Sequence, residues 1–221
     1  VSDLEASSPF RSSNIAKSAA REVEALGRPI DPEPGSASDV GVAMSDFLKL
    51  PARTGNGSVH AIVETPRGAR PKLKYEPELG GFVLSKSLML GLTYPYDWGF
   101  IPSTLADDGD PLDVMIIHEA ATSPGLILRC HVIGALLAVQ TRKGAKERND
   151  RIIAVPSHSH LERSLDHARA LPSETRDELE KFFVATDELE DKKLKFEGWV
   201  GPQHALRLLK ESEKRFAKRL K

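Results

Sequence analysis

Three carboxylates fall within six residues in the stretch Asp108-Gly109-Asp110-Pro111-Leu112-Asp113. Brought together at neutral pH they repel one another, so a fold that gathers them sets open water or cations between them. Gly109 permits a tight turn between the first two aspartates, and Pro111 fixes φ and donates no hydrogen bond, so the segment reads as a shaped loop. An oxygen-only cluster on such a loop suits a hard divalent ion such as Mg²⁺. A calcium-binding helix-loop-helix does not fit. Its loop needs ligands at positions one, three and five, glycine at six and glutamate at twelve, whereas here proline follows Asp110 and a β-type run replaces the exit helix.

That run, Leu112 to Ile117, reads as a buried strand with Asp113 at its mouth. Val59 to Thr65 is β-rich and stops at Pro66, and Lys72 to Glu76 followed by Glu78 to Leu84 reads as a hairpin. Ile127 to Val139 is long enough for one bent strand or two, with Gly134 as the bend, and Arg151 to Val155 is a short strand before Pro156. Helices come late. Pro172 opens one with Leu179, Phe182 and Phe183 as its apolar face; a second starts near Pro202, with Leu206, Leu209, Phe216 and Leu220 along one side. Lys210, Lys214, Lys218 and Arg219 read as a solvated face near that helix's C-terminus. The expected class is mainly β with α (α+β), an OB-like antiparallel β-barrel flanked by two main helices in the C-terminal third.

The chain of 221 residues is 40% hydrophobic and 29% charged, enough for one sizeable domain plus extras. No apolar run approaches the roughly 18 residues of a membrane span. A formal charge of −1 gives no basic excess for nucleic-acid phosphates, so any phosphate site is local. The single Cys130 cannot form an intramolecular disulfide, which points to a reducing, cytoplasmic setting and a packing role. Residues 1–43 are rich in Ser and Pro and read as a flexible N-terminal extension, with a possible short helix over 14–27 carried by Ile15, Ala19, Val23 and Leu26; 44–221 form the barrel domain. Several acids and no apolar core argue against a signal or transit peptide, and Met44 resembles a natural start. His158-Ser159-His160 lacks a third zinc ligand nearby and reads as a surface loop. P-loop, dinucleotide-binding and serine-elbow motifs are absent.

Asp108-Gly109-Asp110-Pro111-Leu112-Asp113-Val114 resembles the signature of the soluble, Mg²⁺-dependent, barrel-type inorganic pyrophosphatases. The resemblance extends, in the family's order, to Ile62-Val63-Glu64-Thr65-Pro66, Lys74-Tyr75-Glu76, Tyr94-Pro95, Ile153-Ala154-Val155-Pro156 and Glu197-Gly198-Trp199, covering about residues 58 to 220. It implies hydrolysis of diphosphate to two phosphates by metal-activated water, with several Mg²⁺ ions per site, Mn²⁺ as a substitute, and identical subunits associating. It further implies Asp108, Asp113 and Asp110 at the metals, Asp110 also as the general base, and Glu64 as ligand of a metal arriving with substrate. Lys74, Glu76, Lys86, Tyr94 and Arg151 would line the substrate cavity.

The departures are specific. Lys86 stands where the family usually has arginine, and Trp98 where it has tyrosine. In the loop Arg142 to Arg151 the family carries two metal-binding aspartates and a lysine; aligned from Pro156, Gly144 and Asn149 replace the aspartates and Arg151 the lysine. Either Asn149 with its neutral carbonyl, or Asp150 after a one-residue slip, with Glu147 as a further candidate, would supply the ligand. Thr186-Asp187 replaces a tyrosine-lysine pair that grips phosphate, and an anion there is expected to repel diphosphate. These changes raise two other readings: a degenerate phosphate- or nucleotide-binding protein, and a hydrolase of another phosphoanhydride.

Overall fold

A computed structural model describes residues 46–120 and 122–221. The extension 1–43 and the helix expected over 14–27 lie outside the described residues. Among the described residues nine strands alternate with turns: β1 (Val59–Thr65), β2 (Pro71–Glu76), β3 (Gly81–Ser87), β4 (Asp97–Ile101), β5 (Leu112–Ile116), β6 (Ile127–Arg142), β7 (Ala145–Arg148), β8 (Arg151–Pro156) and β9 (Lys192–Val200). Two long helices follow late, α1 (Ser173–Glu188) and α2 (Pro202–Arg219). No described helix is long and apolar enough to cross a membrane.

Five strands close on themselves in the order β1-β4-β5-β8-β6 and back to β1. Four seams of this ring are antiparallel and one, β5 against β8, is parallel, pairing Val114 with Ile152 and Ile116 with Ala154. Alternation along the strands sorts the side chains. Val59, Ala61, Val63, Leu112, Val114, Ile116, Cys130, Ala135, Ile152 and Ala154 share one core cluster, with Ala205 and Leu209 of α2 packed onto it. Their odd-even neighbours Met115, Ile117, Ile153 and Val155 join a second cluster under Leu179, Phe182 and Phe183 of α1. Both faces of β8 are thus covered, which is why Arg151 to Pro156 is buried throughout. Burial pushes the Cys130 thiol up to about 12, consistent with a packing residue.

The long strand is single. β6 runs sixteen residues, and its register slips between Val132 and Gly134, the position expected to bend. It carries β9, which was not anticipated as a strand, and its far end folds back as the β6–β7 hairpin through Lys143 and Gly144, both at positive φ (50° and 85°). On α2 the apolar stripe holds through Leu209, but Ser212 takes the next buried position and Leu220, past the helix end, is exposed.

The approach of β4 to β1 depends on Gly99, where a Cβ would stand 1.8 Å from the Ile62 carbonyl oxygen. The obstacle is backbone, so Gly99→Ala is expected to destabilise by about 1–3 kcal/mol or more. Gly55→Ala, with nothing within 4 Å of the added carbon, should stay within about 0.5 kcal/mol of wild type. Urea unfolding of both variants is the check; equal midpoints would contradict the packing described.

Candidate active site

The acidic loop is built by its own hydrogen bonds and then clamped by α2. Gly109 sits at φ 88°, Asp110 donates its backbone N–H to Asp108 Oδ1 at 3.1 Å, and Ala106 donates its own to the Asp110 carbonyl at 2.8 Å. Thr104 Oγ1 accepts from the Leu112 amide at 2.9 Å and ties the loop to the start of β5. From α2, Arg215 donates to the Leu105 carbonyl at 2.8 Å and pairs with Asp107, while Arg219 reaches the Gly109 carbonyl at 3.3 Å. Arg215 and Arg219 therefore position the loop, a correction for Arg219, which was expected with Lys210, Lys214 and Lys218 on a solvated face.

Asp113 projects from β5 on the same outward face as Met115, and Glu64 projects from β1 on the face of Ile62, so the site lies on the outside of the barrel. One wall is the β2–β3 ribbon. Lys72, Lys74 and Glu76 alternate onto one face of β2, and Lys86 on β3 stands opposite Lys72. The other wall is the C-terminal end of α1: Lys86 Nζ donates to the Thr186 carbonyl at 2.7 Å and pairs with Glu190 at 2.5 Å.

The electrostatics are those of carboxylates short of positive charge. Asp113 accepts no hydrogen bond from the described residues; burial pushes its carboxyl up to about 7 against the pull of Arg151 and Lys72, with Asp108 and Glu64 adding repulsion. Glu64 is likewise pushed up to about 7 by burial, although the Tyr75 amide donates to it at 2.7 Å. Burial also raises Asp108 against the hydrogen bond from the Asp110 amide, with the charges of Asp110 and Glu147 adding to the rise. Asp110 is half-exposed, and both its oxygens accept from Lys74 Nζ, at 3.0 and 2.9 Å. Tyr94, buried against Phe182 and Trp98, keeps its phenol protonated through burial and the surrounding charges of Asp113, Asp187, Glu64 and Glu190. Among the described residues no three acidic or imidazole side chains converge into a ready-made metal cage. Lys74 meets the charge of Asp110 instead, and the remaining carboxylates form no such group. An all-oxygen donor set in which Glu64 and Asp113 form no ion pair among the described residues fits hard divalent ions.

The two open positions of the loop separate. Asp150 is buried and fully engaged elsewhere: Arg148 donates to both its oxygens, at 3.0 and 2.8 Å, and the Ala138 amide donates at 3.0 Å. It lines a surface cavity with Asp107, Leu112 and Arg215, away from Asp113. Asp150, the alternative ligand after a one-residue slip, thus has both oxygens bonded within the protein. Asn149 donates to Gln140 Oε1 at 2.9 Å, and Gln140 in turn donates to Glu147, whose charge acts on Asp108. Gly144 is consumed by the hairpin turn. His158 and His160 are exposed turn residues.

Asp187 does not face the cavity as a bare anion. It pairs with Arg151 at 3.3 Å, Arg151 donates a second bond to the Asn149 carbonyl at 3.0 Å, and its guanidinium lies 4.5 Å from the centre of the Phe183 ring. Lys72, Glu190 and this pair were missed from sequence. The alternation Lys72-Leu73-Lys74 held a signal for the first; Glu190 depends on Lys86 about a hundred residues away, and Asp187 on Arg151 36 residues away.

The family model for inorganic pyrophosphatase matches residues 61–217. This chain belongs to that family. It is 32% identical over 171 residues to an inorganic pyrophosphatase of Synechocystis sp., covering 77% of this chain and 99% of that protein. It is 36% identical over 154 residues to the inorganic pyrophosphatase of Thermus thermophilus, covering 67% and 84%. The crystal structure of an inorganic pyrophosphatase from that organism superposes with a TM-score of 0.71 at 29% identity, covering 78% of this chain and 99% of that one.

Because Arg151 is only 3% exposed and Asp187 13%, removing the carboxylate leaves a buried cation short of its partner. Asp187→Ala should cost about 3 kcal/mol of stability, whereas exposed Glu188→Ala should stay within about 0.5 kcal/mol. Chemical denaturation distinguishes them, and equal losses would contradict the pair.

Proposed function

We propose that this family member hydrolyses inorganic diphosphate to two phosphates in a metal-dependent reaction. The observation that carries the reading is the outer face shared by Glu64, Asp108, Asp110 and Asp113, buried in part and opposed by the lysines of the β2–β3 ribbon. Mg²⁺ ions, with Mn²⁺ as a substitute, would be held by Asp108, Asp113 and Asp110, with Glu64 and Asn149 or Glu147 at the margins, and would neutralise phosphate oxygens and acidify a water.

The chain's own residues do the rest. Asp110 is the general base: its carboxylate is the most accessible of the acids and stands two and three residues from the other two aspartates of the loop. An oxygen–phosphorus bond forms from water, the bridging phosphorus–oxygen bond breaks, and the water's proton goes to Asp110. Lys74, already within hydrogen-bond reach of Asp110, binds an oxyanion beside the reacting centre. Lys86 and Arg151 are held in place by Glu190 and Asp187 and border the leaving phosphate. Tyr94 presents a protonated hydroxyl, and Glu76, with no ion pair among the described residues, lines the same face of β2. A cytoplasmic location and association of identical subunits belong to this proposal.

Phosphate release from diphosphate, with and without Mg²⁺, tests the reading. Wild type should turn over only with the metal, and Asp110→Asn should lower kcat by about 10²- to 10⁴-fold. Metal-independent release, or undiminished activity in the variant, would sink it. Selective cleavage of a nucleotide or polyphosphate would favour another phosphoanhydride. Asn149→Asp adds charge beside Glu147 and should lower the Mg²⁺ concentration giving half-maximal activity by roughly tenfold; an unchanged midpoint would remove Asn149 from the metal site.

A further inference from the structure

We infer that Lys72 is a phosphate-binding residue of this site, a cation that, unlike Lys74, Lys86 and Arg151, is held by no carboxylate among the described residues. The inference rests on the diphosphate reading and specifies which groups hold that substrate.

Three observations carry it. Lys72 stands directly across the ribbon from Lys86, with the register slip after it keeping the two lysines rather than Lys72 and Ser85 in opposition. Like charges so placed disfavour the sheet unless an anion lies between them. Secondly, the cations around the cavity are unequal. Arg151 is paired with Asp187, Lys86 and Lys192 share Glu190, and Lys74 is bonded to Asp110. Lys72 has no hydrogen bond or ion pair to any described residue, although it is partly buried. An ammonium group carries three donors and no acceptor, so those of Lys72 are left to water or to an anionic ligand. Thirdly, Lys72 shares one face of β2 with Lys74, whose Nζ bonds Asp110, and stands opposite Lys86, whose Nζ bonds the Thr186 carbonyl. That face of the ribbon is the one turned toward the acidic loop.

The competing role is compensation: Lys72 could serve only to offset Glu64 and Asp113, and bound metal would then make it redundant. The two roles differ in what they change. A phosphate ligand sets the affinity for substrate; a compensating charge sets the affinity for metal.

The test uses Lys72→Met and Lys72→Arg in the full chain, with diphosphate hydrolysis at saturating Mg²⁺, inhibition by the non-hydrolysable analogue imidodiphosphate, and the Mg²⁺ midpoint. A lost charge-assisted bond should raise KM and the analogue's inhibition constant together by roughly 10- to 100-fold in Lys72→Met, with kcat within about threefold. Lys72→Arg should recover most of that loss, and in Lys72→Met the Mg²⁺ midpoint should move by far less than KM. KM and analogue affinity unchanged within about twofold, or a shift confined to the Mg²⁺ midpoint, would overturn the inference. Direct calorimetric titration of the analogue separates it from the reading beneath. A wild type that binds imidodiphosphate through Lys72 yet fails to hydrolyse diphosphate supports Lys72 and overturns the activity; one that binds no analogue overturns both.

Discussion

Glu64, Asp108, Asp110 and Asp113 are brought to one outer face of a narrow barrel, and their mutual repulsion has to be met by positive charge. The fold meets part of it with lysines. Lys74 takes Asp110 outright, and Lys72 acts on Glu64 and Asp113 across the cavity. What is left over is visible in the carboxyls of Glu64 and Asp113, each pushed up to about 7 by burial. A divalent cation displaces such protons and supplies the missing positive charge, so groups that are costly to the apo fold can serve as its ligands.

The scaffold around that face is stiff where it has to be. β5 carries Asp113 between β4 and β8, and α2 clamps the Asp108–Asp110 loop through Arg215 and Arg219. The opposite wall is made at long range, by the end of α1 leaning on the β2–β3 ribbon through Lys86, Thr186 and Glu190. Glu190 shows the balance of effects there. Burial alone would raise it, but hydrogen bonds from Lys192 and Lys86 outweigh burial and draw it down to about 2. That end of the helix is a fixed anion organising cations rather than an anion opposing the substrate.

Much of this was legible in the chain because it is local. The acidic loop, β1 and β5 follow from alternation and turn residues, and the two helices from their capping prolines and apolar stripes. The closing seam was not: whether β5 meets β8 in parallel depends on which strands come together across some forty residues. Asp187 is the most instructive residue. Read in one dimension it is an anion where a cation belongs, and repulsion of substrate follows. In the fold it is the partner of Arg151, which otherwise would be a buried guanidinium beside Phe183. Asp150 teaches the same lesson in reverse, an acid in a promising place whose oxygens are already spent on Arg148 and the Ala138 amide.

The central claim is that this outer face gathers hard cations between its carboxylates. Anomalous diffraction from crystals grown with Mn²⁺ tests it most directly. The account predicts metal peaks within ligand distance of Asp108, Asp110 and Asp113, with Lys74 displaced from Asp110 and Asp150 still bonded to Arg148. Mn²⁺ found at Asp150 instead, or no peak on this face at millimolar metal, would contradict it.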